Sequence, residues 1–167
     1  MSSPSSTRRA SGFAQVSAFL FLFCLTWASA AADAYTVMRD WGQFATFCRL
    51  IERAQLVKIF WKQTSLTVFA PTDRAFARMD KNAFRALELP ENRDRLRAVL
   101  LYHMVAERIS VFDMTREVPR ATIHGKSLTS LLMSGQMVLN DAFIDIEDIQ
   151  TPSGAVHAID KVLMAPS

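Results

Sequence analysis

The stretch Leu66–Met79, LTVFAPTDRAFARM, constrains the fold more than any other part of the chain. Its first half is β-branched and aromatic, the composition of a short strand. Pro71 ends that strand, because proline has no N–H for a ladder and disfavours helical backbone in the residue before it. Thr72 then stands where a hydroxyl caps a helix N-terminus, and Asp73 falls in the first turn, where negative charge complements the helix dipole. Phe76 and Met79 follow at helical spacing. The junction is a chain reversal with its own backbone donors satisfied, and nothing in it requires chemistry.

The segments on either side follow the same division. Upstream, FATFCRLIERAQLVKIFW places Phe44, Phe47, Cys48 and Ile51 on one face and predicts an amphipathic helix. Downstream, NRDRLRAVLLYHMV predicts another, with Asn92 as its cap and Leu96, Val99, Leu100 and His103 on its apolar face. Arg93, Arg95 and Arg97 spread around that helix beside Glu91 and Asp94, which makes a solvated surface rather than a nucleic-acid patch. From Arg120 the rhythm becomes that of strands, punctuated by turn signals at Gly125, Ser134–Gly135, Asn140–Asp141 and Thr151–Gly154. Ala142, Ile144 and Ile146 alternate with Phe143, Asp145 and Glu147, so one face is apolar and the other mostly wet. Helices followed by hairpin-connected strands predict an α+β domain.

Before this domain, Arg8 and Arg9 precede an apolar run, VSAFLFLFCLTWA, and then the small residues ASAAADA. The run is shorter than the roughly 20 residues that span a bilayer, so residues 1–30 read as a secretory signal cleaved near Ala30, with a signal anchor as the alternative. Removing them takes away two Arg and no acid, leaving 17 basic against 16 acidic residues. The near-neutral remainder, residues 31–167, reads as one domain in a secreted or periplasmic setting, with no nucleic-acid partner and no obligatory membrane anchor after cleavage. Cys48 is then its lone cysteine, expected as a buried, inert thiol.

Catalysis finds no home in the pattern. His103, His124 and His157 have no metal-ligand spacing, and glycines are too few for a phosphate loop or dinucleotide fingerprint. Ser153, His157 and Asp160 compose a triad only on paper, because no nucleophile elbow surrounds the serine. The expectation is a non-enzyme without catalytic residues, metal or cofactor.

Three segments carry a family likeness. LTVFAPTDRAFARM resembles the first signature of the fasciclin domain, LLYHMV its tyrosine-histidine segment and GAVHAIDKVLM its closing signature, in the family's order and at about its spacing. The resemblance runs from about Tyr35 to Pro166. It implies a twisted β-region packed against several helices, in a single-domain secreted or surface-associated module of adhesion and matrix contact. Its structural positions are Pro71, Thr72, Asp73, Phe76, His157 and Asp160. Two departures stand out. MVAER, Met104–Arg108, replaces a Val-Val-Pro-Gly turn, and Ser153–Gly154 replaces an Asn-Gly turn. In animal adhesion members, an Asp-Ile pair and the tyrosine-histidine segment are linked to integrin binding. The matching positions here, Asp148 and Ile149 with Tyr102 and His103, become candidate contacts for a cell-surface or matrix protein or glycan, without the integrin itself. Two readings of the acidic segment stay open, since Asp145, Glu147 and Asp148 also serve to keep a strand face soluble. An alternative function is a carrier of an apolar small molecule such as a lipid or pigment, although the Met and Phe residues fall largely at core spacing.

Overall fold

The structure is a computed structural model that describes residues 33–165. The expected signal segment and its cleavage site lie outside the described residues. The chain begins with three helices, α1 (Ala34–Trp41), α2 (Ala45–Arg53) and α3 (Val57–Lys62), and then enters strand β1 (Leu66–Pro71). After the proline come α4 (Asp73–Arg78), α5 (Lys81–Glu88) and, beyond a 3₁₀ turn at Pro90–Asn92, α6 (Arg93–Tyr102). A two-residue strand β2 (Met104–Val105) and a short helix α7 (Val111–Met114) lead into the strand-rich remainder. That remainder holds β3 (Arg120–Ala121), β4 (Ser127–Leu128), β5 (Ser130–Met133), β6 (Gln136–Leu139), β7 (Ala142–Thr151) and β8 (Gly154–Ile159). The α+β architecture expected from the sequence is the one observed.

Six strands form one sheet in the order β2-β1-β8-β7-β6-β5, while β3 and β4 pair separately. The centre is a parallel pair, Leu66 to Pro71 of β1 running beside Gly154 to Ile159 of β8. A parallel pair buried on both faces needs apolar residues at successive positions, and every residue of β1 and β8 is buried. Leu66, Val68, Ala70, Val156 and Ala158 pack into a core built with the helices. Phe69 and Ile159 point the other way, into a second core with Tyr102, Ile109, Met114, Met137, Leu139 and Ile144. The start of the pair requires glycine, because a Cβ on Gly154 would lie 1.7 Å from the Leu66 carbonyl oxygen.

The expected amphipathic helix over Phe44–Trp61 is instead two helices, a correction with a local cause. Gln55 adopts a left-handed φ of 58°. Its N–H donates to Glu52 C=O, and Leu56 N–H donates to Ile51 C=O. These are the two bonds of a Schellman stop, built here without glycine. Asn92 is likewise no helix cap: its side-chain amide donates to Ala86 C=O at 2.7 Å, across the 3₁₀ turn. Thr72 does cap α4, its hydroxyl accepting from Ala75 N–H. Asp73 does more than face its own helix dipole. Its carboxylate accepts from Thr46 N–H at 2.7 Å and Ala45 N–H at 3.2 Å, and so caps α2, 27 and 28 residues earlier. Cys48 is buried, and loss of hydration pushes its thiol up to about 11. Among the described residues, no helix is long and apolar enough to cross a membrane.

Candidate partner-binding region

The candidate residues Asp148 and Ile149 sit where β7 departs from regular pairing. Opposite β8, Ile146 pairs with Ala158 and Ile149 with Val156, so Glu147 and Asp148 together face His157. This is a bulge, and Asp148 occupies it with φ of 50°. Aspartate tolerates left-handed backbone better than most residues. The bulge turns the Asp148 N–H inward, where it donates to His157 Nδ1 at 3.1 Å. Since Nδ1 accepts, the ring proton is on Nε2, which donates to Ile109 C=O at 2.8 Å. Burial lowers the His157 pKa, opposed by the Ile109 carbonyl and the Asp148 charge. The neutral ring is therefore a spacer between two backbone segments.

The loop Ala106–Ser110, which takes in the end of the Met104–Arg108 segment, is held from three sides. The Thr67 hydroxyl donates to Glu107 C=O and accepts from Ile109 N–H. His157 takes the Ile109 carbonyl. The Asp148 carboxylate then accepts from Val111 N–H, at 3.1 and 3.3 Å to its two oxygens. Val111 opens α7, whose N-terminus also carries a capping box between Ser110 and Asp113. The bonds with Ser110 hold the Asp113 carboxyl below its ordinary range. A loop without proline or glycine is thus fixed by side chains from β1, β7 and β8.

His103 and Tyr102 perform related work at the end of α6. Leu163 N–H donates to His103 Nε2 at 3.0 Å, so the proton is on Nδ1 and is given to Val99 C=O at 2.8 Å. Complete burial brings the His103 pKa down to about 4, against the raising effect of the Val99 carbonyl. The Tyr102 hydroxyl donates to Ser127 C=O and accepts from the Asn140 amide, tying α6 to β4 and to the β6–β7 turn. At the far end of β7, Asp160 accepts from Phe143 N–H at 2.8 Å and faces Arg78 at 3.7 Å.

Tyr102, His103 and Ile149 are buried, as are Pro71, Thr72, Phe76 and His157, while Asp73, Asp148 and Asp160 are half-buried. Ser153, His157 and Asp160 are not assembled as a triad, because both ring nitrogens of His157 are engaged by Asp148 and Ile109. Among the described residues, no cluster of three or more His, Cys, Asp or Glu side chains could hold a metal ion. The surface beside Asp148 instead presents Phe112, one residue beyond the bonded Val111 and 68% exposed, with the Arg116 guanidinium 6.0 Å from its ring centre. Sequence reasoning missed this residue. Its available signal was the spacing of Ser110 and Asp113, a capping pattern that starts a helix with Phe112 in its first turn.

The chain is similar in sequence and in fold to known proteins. A profile of the fasciclin domain matches residues 42–165. Protein sll1483 of Synechocystis sp. is 34% identical over 124 residues, covering 74% of this chain and 68% of that protein. Immunogenic protein MPB70 of Mycobacterium bovis is 32% identical over 101 residues, covering 60% of this chain and 50% of its own length. Among solved structures, the FAS1 domain pair of the insect cell adhesion molecule Fasciclin I superposes with a TM-score of 0.62 at 19% identity, over 76% of this chain and 47% of that one.

Proposed function

The chain belongs to the fasciclin domain family, and from that premise we propose that it is a non-enzymatic, extracytoplasmic adhesion module. Its contact surface is centred on Phe112 and the flanking exposed residues Glu107, Arg108, Glu147 and Gln150, and it recognises a cell-surface or matrix protein or glycan. The observation that carries this reading is the exposed Phe112 ring on a short helix whose first N–H is held by Asp148. An aromatic side chain loses little entropy when it anchors an interface, and a rigid mount lowers the cost further. In this reading Asp148 and His157 are positioning residues, and Tyr102, His103 and Ile149 support them from the core. A second observation favours the module over an apolar-ligand carrier, because Phe44, Phe47, Phe69, Met38 and Met104 are packed inside the domain.

The test replaces Phe112 with Ala, and separately the equally exposed Trp61 of α3 as a control. Adhesion of the purified chain to the surface of the cells that make it should fall with Phe112→Ala and persist with Trp61→Ala. Equal losses, or none, would remove Phe112 from the contact.

A further inference from the structure

The two edges of the main sheet are finished differently. At one end, β2 is two residues long and buried, and Ile123 N–H donates to Met104 C=O, which closes the edge. At the other end β5 pairs only with β6. Its residues Leu131, Leu132 and Met133 are 39%, 52% and 48% exposed. Exposed edges ordinarily carry a charge, a proline or a bulge that blocks further pairing. This one carries none of them: the 14 residues Ser127–Asn140 contain no charged side chain and no proline.

We propose that β5 pairs antiparallel with β5 of a second copy of this chain, joining two six-stranded sheets about a two-fold axis. The charge-free run selects a second copy as the occupant, and two further observations show the edge prepared for pairing. In a two-fold interface each residue near the axis meets its own equivalent, so any charge there repels itself; the charge-free run satisfies that condition throughout. The row is also apolar across strands: exposed Leu131 lies opposite Val138, which is buried between its neighbours, and Val138 lies opposite Phe143, itself 38% exposed. Pairing extends this row into its symmetric counterpart. The strand is also held in advance: Thr129 and Asn140 exchange bonds through Asn140 N–H to Thr129 C=O and Thr129 N–H to the Asn140 side chain. At its other end Ser134 and Gly135 make a tight turn with φ of 51° and 82°. Little ordering is needed to present the edge. Ser130 is buried with its hydroxyl donating to Met114 C=O, so three exposed residues a side make a small interface, and the dimer is a weak one that forms in the upper micromolar range and gains from crowding at a surface.

This inference stands apart from the identity of any adhesion partner and does not use Phe112. Sedimentation of the full chain across a concentration series should show a monomer–dimer equilibrium. Hydrogen exchange over the same series should slow at the β5 amides that point away from β6. Leu131→Lys with Met133→Lys places like charges across the axis, and both signals should disappear while the unfolding midpoint holds. A chain that stays monomeric, a dimer that leaves β5 exchange unchanged, or one that persists in the lysine variant would overturn the assignment. So would a β5 edge protected only by an extended peptide from another protein.

Discussion

The two sides of the β1–β8 pair are held by different physics. On the helix side, Phe44, Phe47, Leu50, Ile51, Leu96 and Leu100 fill space around Val68, Ala70, Val156 and Ala158. On the other side the apolar cluster is crossed by single polar clips: Thr67 and His157 on the 106–110 loop, Asp148 on Val111, and Tyr102 on Ser127. An apolar core tolerates volume-conserving change because dispersion and burial are spread over many contacts. A clip has only one or two partners, and its loss leaves a buried donor or acceptor unmet. The first side thus sets whether the domain folds, and the second sets where a surface loop is held.

Gly154→Ala attacks what both sides share. With the Leu66 carbonyl 1.7 Å from the new methyl carbon, the parallel pair must separate, and a loss of about 4 kcal/mol or failure to fold is expected. Thermal unfolding would show both sides failing together. Survival of the variant with a native midpoint would show that the pair is not the common foundation.

Acid acts next, and it acts first through His103. Its pKa is about 4 in the fold against 6.5 for the free side chain, so the unfolded chain binds more protons between those values. Stability is full above pH 6.5 and declines as pH falls toward 4, by an amount on the order of 3 kcal/mol. His157 adds to this in the same direction. Denaturant titrations from neutral to acid pH should show the decline, and His103→Gln should flatten it. A slope unchanged in that variant would place the titration elsewhere.

A smaller effect separates two neighbours on the helix side. Thr72→Ala removes the α4 cap at a cost of about 1 kcal/mol. Asp73→Ala removes the bonds to Ala45 and Thr46 and should cost about 1 to 2 kcal/mol, loosening α2 rather than α4. Amide exchange resolves which helix frays. Fraying of α4 alone in the Asp73 variant would restore the simpler role of a charge in its own first turn.

What could be read from sequence divides along the same line. Thr72 as a cap, the buried face of α6 and the alternation along Ala142–Glu147 follow from spacing within a few residues. The strands β1 and β8 were legible as apolar segments, but their parallel pairing was not, because it joins positions nearly ninety residues apart and leaves no periodic trace. Asp73 read as a charge in its own first turn, and Asp148 as a candidate contact or a solubilising charge, since their true partners Thr46 and Val111 are donors of the backbone, which every residue type carries. The stop at Gln55 was hidden for a related reason: the left-handed residue is not the glycine that ordinarily marks it. The candidate site was legible as a segment and not as a surface, because Val111, the neighbour of Phe112, is bonded to Asp148 across 37 residues.

The central claim is that Asp148 supports binding by holding α7, separately from any contribution to stability. It is tested by comparing Asp148→Gly with Thr72→Ala. Glycine accepts the left-handed backbone at this position, so the carboxylate is the group removed, and both variants should lose about 1 kcal/mol. Binding of the full chain to the surface of the cells that make it should then weaken roughly tenfold in Asp148→Gly and remain unchanged in Thr72→Ala. Equal binding by the two variants would contradict the account.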